Sequence, residues 1–179
     1  MRIIAGDYKG RKLITPNGAD LVRPTAEKVK GAIFSMLMNR IEGAVVCDLF
    51  AGTGSLGLEA LSRGADFCWF GDHAQECVTM VRKNIELCRA EEYSHVTHGS
   101  FMKTLQNIDG KVDIFLLDPP YKKGTLEEAI KAIAEMDLLA EGGVIVAEHG
   151  SDKELPDELA GFRKVKEKRY GIVVISIYM

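Results

Sequence analysis

No apolar run in the 179 residues approaches the roughly 20 needed to cross a bilayer, so no membrane span is expected. The opening Met1-Arg2-Ile3-Ile4-Ala5-Gly6-Asp7 has one basic residue and no apolar stretch behind it, which argues against a secretory leader and for a cytoplasmic location. Cysteine is sparse. Cys47, Cys68, Cys77 and Cys88 are separated by 21, 9 and 11 residues and include no C-x-x-C pair, so neither a disulfide framework nor a metal site is expected. The four histidines read as surface or strand-end residues. Repeats and low-complexity stretches are absent, and 46% hydrophobic with 27% charged residues excludes a disordered chain. The length suits one globular domain with its own core.

An excess of positive charge is also missing, since the net charge is −3. The average conceals an asymmetry. Residues 1–30 carry seven basic and three acidic side chains, and the rest of the chain carries 16 basic and 23 acidic ones. A basic arm on an acidic body can still meet phosphate locally.

What is present is alternation. Residues 1–24 read as a small hairpin-like arm, Ile3-Ile4 and Lys12-Leu13-Ile14 around a turn at Asp7 to Gly10. Thr25 is the expected N-cap of a helix whose buried stripe is Val29, Ile33, Leu37 and Ile41. Strand-like runs follow at Val45 to Leu49, Phe67 to Phe70, Val96-Thr97, Ile114 to Leu117 and Val144 to Ala147. Helical patterns separate them, at Leu56 to Leu61, Cys77 to Arg89 and from Thr125, where Thr125 and Glu128 suggest a capping box. Arg163 to Lys168 and Ile172 to Ile177 suggest a closing antiparallel pair. Nearly all-apolar strands alternating with helices call for an α/β, Rossmann-like, mostly parallel sheet covered on both faces. Residues 25–179 would form that domain. In such sheets ligands bind beyond the carboxyl ends of the strands.

Two motifs stand at strand ends. Gly52-Thr53-Gly54-Ser55-Leu56-Gly57 fits G-x-G-x-x-G, with Asp72 20 residues after Gly52. Glycines admit a ligand to the backbone, the helix start offers free N–H groups, and Asp72 can receive ribose hydroxyls. Any adenosine-bearing cofactor satisfies those demands. Asp48 is more selective, because a carboxylate four residues before the glycines repels a pyrophosphate and favours a cation. S-adenosylmethionine carries a sulfonium and an ammonium at one end. The second motif is Asp118-Pro119-Pro120-Tyr121. Its prolines hold a rigid turn that can present the Asp118 carboxylate and the Pro119 carbonyl together, with Tyr121 as a stacking face. An exocyclic amino group on a base needs such acceptors, because its lone pair is delocalised into the ring.

At this point the chain resembles the bacterial 16S ribosomal RNA (guanine-N2) methyltransferases of the small single-domain type. Met1 to Gly6, Gly10 to Leu13, Arg23-Pro24-Thr25, Asp48 to Gly64 and Asp118 to Tyr121 carry the likeness, which runs nearly end to end. The resemblance implies a seven-stranded class I methyltransferase sheet, S-adenosylmethionine as cofactor, and one guanine of 16S rRNA in a small ribosomal subunit as substrate. It places Asp48, Phe50, Ala51, Gly52, Thr53, Gly54, Asp72, Ser100 and Phe101 at the cofactor, and Asp118, Pro119, Pro120 and Tyr121 at the guanine. Arg2, Arg11, Lys12, Arg23 and Thr25 would contact RNA, and a monomer is expected. Three positions depart from the family pattern. Asp72 and Ala74 stand where glutamate and aspartate are usual, and Ser100 stands where an acid or amide commonly meets adenine. Methyl transfer to another amino group (DNA adenine or protein glutamine), a nicotinamide oxidoreductase and a non-catalytic RNA-binding module are the alternatives.

Overall fold

The structure, a computed structural model, describes residues 1–18, 23–120 and 123–179, with only the main chain described for residues 23–25. Its elements are α1 (Arg23–Met36), β1 (Val45–Asp48), α2 (Ser55–Ser62), β2 (Phe67–Asp72), α3 (Gln75–Cys88), β3 (Ser94–His98), α4 (Phe101–Asn107), β4 (Val112–Leu117), α5 (Thr125–Glu135), β5 (Leu139–Gly150), β6 (Glu158–Leu159), β7 (Phe162–Tyr170) and β8 (Val173–Tyr178). The strands form one sheet in the order β3-β2-β1-β4-β5-β8-β7-β6. From β3 to β5 the pairing is parallel, and β8, β7 and β6 join antiparallel. This is the α/β, mostly parallel architecture expected. Among the described residues the sheet has eight strands rather than seven, because β6 adds a two-residue edge against β7.

Strand alternation divides the core in two. Val46, Phe70, Leu116 and Val146 face one layer, which also takes Ile3, Leu13, Val29, Ile33 and Leu58 from the arm, α1 and α2. Cys47, Phe115, Leu117 and Ile145 face the other, under Leu105 of α4 and Ile130 and Ile133 of α5. The predicted stripe Val29, Ile33, Leu37 and Ile41 is buried throughout, but α1 ends at Met36, so Leu37 and Ile41 fill the core from the segment that follows rather than from the helix. Helix α2 lies unusually close to β2 at Gly57, where a Cβ would stand 2.3 Å from the Phe70 ring and 2.7 Å from Cys68 Sγ. Only glycine permits that approach.

Both expected threonine caps are overturned. Helix α1 starts at Arg23, so Thr25 falls inside its first turn. Helix α5 is preceded by Gly124 at φ 88, ψ −9, with no side-chain cap bond, and Thr125 is its first helical residue. The left-handed turn needed to enter α5 takes a glycine at the position where a capping side chain would stand. His149 is buried and close to Ser176, with 2.9 Å between Nε2 and Oγ, so it is a core residue near a strand end rather than a surface one.

Candidate active site

Register places the chemistry. Asp48 ends β1 level with Phe70 of β2 and Leu116 of β4, and Leu117 is level with Ala147 of β5. Four neighbouring strands each carry a carboxylate at or near this level: Asp48 and Asp72 end β1 and β2, Asp118 directly follows β4, and Glu148 lies two residues before the end of β5. Parallel partners in register present their side chains to the same face. The order of strands reverses between β1 and β4, where a doubly wound sheet opens its crevice.

Two adjoining cavities occupy that crevice. The first, about 370 Å³, is lined by Asp48, Phe50, Ala51, Gly52, Thr53 and Asp72, with Lys30 and Met1 closing it from the side of α1 and the arm. The second, about 570 Å³, is lined by Pro119, Lys123, Leu126 and His149 among others. Asp118, Pro120 and Glu148 belong to both walls.

Asp48 is 1% exposed, and one of its oxygens accepts the Gly57 N–H at 2.9 Å. Burial pushes its carboxyl up to about 7, against the pull of that hydrogen bond and with help from the charges of Asp118 and Asp72. A buried carboxylate held so weakly in its charged form is well matched to a cation. Asp72 has a second task, since it accepts the Gly52 N–H and the Ala74 N–H, each at 2.9 Å. It ties the glycine loop to the start of α3 while still lining the cavity. Gly52 and Gly54 have φ of 57 and 82, which bends the loop around the cavity edge. Gly54 stands behind the lining as the residue preceding α2.

Not every expected cofactor residue reaches the cavity wall. Ser100 is exposed and caps α4 by accepting the Lys103 N–H at 3.2 Å. Phe101 lies against Phe50, the ring centres 5.9 Å apart, and so backs the wall rather than forming it. Tyr121 lies outside the described residues, as do the side chains of Arg23 and Thr25.

Asp118 keeps contact with solvent by surface area, but the walls of both cavities surround it and push its carboxyl upward. Glu148, absent from the sequence expectations, is raised by burial and by the Asp118 charge. Its position directly after the apolar run Val144 to Ala147 is the signal that could have found it.

The basic arm is fastened to the body by buried polar side chains. Glu59 is fully buried and accepts the Ile4 and Ala5 N–H groups at 2.9 and 3.1 Å. It also pairs with Lys30 at 3.1 Å and Arg63 at 2.9 Å. Lys30, 2% exposed, donates to the Arg2 carbonyl and to Ser55 Oγ. Asn84 of α3 holds both Ile14 and the Thr53 carbonyl. Arg11 donates to the Leu87 carbonyl and lies over the Tyr8 ring, whereas Lys12 is exposed. Glu59, Lys30 and Asn84 were not anticipated, because polar residues on an amphipathic helix ordinarily face water.

S-adenosylmethionine fits the first cavity on the chemistry of its wall: a buried carboxylate for a cation, a second at the end of β2, and apolar Phe50 and Leu56. No group of three or more metal-ligating side chains occurs among the described residues, and no helix among them is long and apolar enough to cross a membrane.

Comparison with known proteins agrees with this geometry. Residues 1–179 match the family described as Conserved hypothetical protein 95. The ribosomal RNA small subunit methyltransferase D of Haemophilus influenzae is 36% identical over 99% of this chain and 93% of its own length. That of Escherichia coli K12 is 33% identical over 99% and 89%. The chain belongs to this methyltransferase family. The solved structure of yhhF from Escherichia coli superposes with a TM-score of 0.87 at 31% identity, covering 99% of this chain and 96% of that one. A precorrin-6y C5,15-methyltransferase from Geobacter metallireducens, 17% identical with a TM-score of 0.72, shares the fold alone.

Proposed function

We propose that this methyltransferase moves a methyl group from S-adenosylmethionine to the exocyclic N2 of one guanine in 16S rRNA, presented by the small ribosomal subunit. The observation that carries the reading is Asp118, which lines the donor cavity and its neighbour at once. The relatives named as rRNA small subunit methyltransferases support the choice of RNA. Asp48 and Asp72 face the cationic and ribose ends of the cofactor. When bound, S-adenosylmethionine supplies the methyl carbon, the N–C bond forming as the C–S bond breaks.

The chain's own residues do the rest. The guanine leaves its stack at a cost of a few kcal/mol unless the RNA already exposes it. Asp118 and the Pro119 carbonyl accept the two amino hydrogens and draw the nitrogen lone pair out of conjugation. Tyr121 supplies the stacking face. The nitrogen becomes acidic as it is methylated, and Asp118, whose carboxyl is raised, takes the proton and passes it to solvent. Arg2, Arg11, Lys12 and Arg23 contact phosphates, which positions the RNA without reading its sequence.

Asp118→Ala should lower the transfer rate by about 10²–10⁴-fold while leaving S-adenosylhomocysteine affinity within a few-fold of the parent. An undiminished rate removes Asp118 from the chemistry. Radiolabelled transfer offered separately to rRNA, DNA and protein extracts tests the substrate class, with label in rRNA expected.

A further inference from the structure

The second cavity has two carboxylates on its wall, Asp118 and Glu148. Among the described residues, no hydrogen-bond donor or ion-pair partner meets the carboxylate of Asp118 or of Glu148. Thr104 Oγ1 is the only sealed, unpaired side-chain polar atom among those residues, so the Glu148 oxygens open onto the cavities. Two partly enclosed carboxylates side by side oppose each other's charge, and such an arrangement is unfavourable unless a ligand brings donors. The same wall offers Pro119 and Leu126 as apolar surface and is also lined by Lys123 and Lys153. Lys153 is paired with Glu127 at 2.9 Å.

Guanine presents three hydrogens along one edge, two on N2 and one on N1, with the O6 acceptor beyond. Asp118 and Pro119 account for the N2 hydrogens on the reading above, which leaves N1–H. Resting on that reading, we propose that Glu148 is the residue that specifies guanine, its carboxylate accepting N1–H beside the amino group held by Asp118. A base with a lone pair at N1 would face that carboxylate with no hydrogen between them. A site built to receive an N–H rejects an analogue lacking it far more strongly than an apolar pocket rejects a missing methylene. Binding also relieves the repulsion between the two carboxylates, because N1–H and the cationic donor next door both favour ionised Glu148.

The test compares guanine with 2-aminopurine, which keeps the 2-amino group but has a lone pair at N1. Small ribosomal subunits are reconstituted with either base at the modified position, and kcat/KM is measured for the parent and for Glu148→Gln. The parent should prefer guanine by about 10²-fold, in line with one well-formed polar contact to a base edge. In Glu148→Gln the amide can turn its N–H toward the 2-aminopurine N1, so the preference should shrink at least about tenfold, with S-adenosylhomocysteine binding retained. An unchanged preference in a variant that still binds S-adenosylhomocysteine overturns the proposal. If Glu148→Gln does not bind it, the parent alone decides, and equal rates on the two bases overturn the proposal. Transfer by the parent to no guanine at all overturns the proposed function and this inference together. Transfer to guanine without discrimination overturns this inference alone.

Discussion

Asp48 is bonded to Gly57 N–H and buried, so it is a structural clasp on α2 and, in the function proposed above, also the acid that meets the cofactor's positive end. Its raised pKa sets the sign of two pH effects. Without cofactor, Asp48 binds its proton more tightly than in the unfolded chain, so its contribution to stability is full below about 3.8 and falls as pH rises to about 7. Cofactor binding runs the other way, because the proton must leave before the carboxylate can face a cation. Affinity for S-adenosylmethionine should therefore rise with pH up to about 7, with proton release on binding below it. Calorimetry in buffers of different ionisation enthalpy measures that release, and Asp48→Asn should lower it, leaving only what the raised carboxyls of Asp118 and Glu148 contribute. An unchanged proton release in the variant assigns the effect to another group.

At the scale of elements, the contact between α2 and β2 sets the position of the glycine loop. Gly57→Ala puts a methyl into the Phe70 ring and must move the helix that carries the Gly57 N–H away from Asp48. A loss of about 1–3 kcal/mol is expected from overpacking, with weakened cofactor binding beside it. Urea unfolding and a binding titration check the two separately, and a variant as stable as the parent contradicts the close-packed contact. The apolar periodicity of α1 and the strand runs at residues 45–49, 67–70, 114–117 and 144–147 were legible because period and burial coincide there. The caps were not. A threonine before an apolar run looks like an N-cap wherever it stands, but the backbone entering α5 turns left-handed, and that favours Gly124.

At the scale of the whole molecule, the arm, α1 and the donor cavity form one unit around Glu59. Removing one partner of a buried pair leaves an uncompensated charge, so Glu59→Ala should cost about 3–5 kcal/mol and free the Ile4 and Ala5 N–H groups. Urea denaturation measures it, and a loss below about 1 kcal/mol would show that the arm is held by other contacts. Asp48, Asp72 and Asp118 could be picked out in the chain because Asp48 precedes the glycine motif by four residues, Asp72 follows Gly52 by 20, and Asp118 opens the proline turn. Glu148, Lys30, Glu59 and Asn84 could not, because their roles exist only once register and packing bring distant segments together. The basic excess of residues 1–30 has a measurable consequence. Neutralising Arg2 and Lys12 should weaken subunit binding and lower its salt slope by about one for each phosphate left without its cation. An unchanged slope returns those two side chains to a purely structural role.

In the proposed reaction a methyl group passes from the donor beside Asp48 to an amino group held at Asp118. The most direct measurement is mass-spectrometric mapping of rRNA from small subunits incubated with this protein and S-adenosylmethionine bearing a deuterated methyl group. One labelled guanine is expected, with the label on N2. Label on any other atom, or no label in rRNA at all, would contradict it.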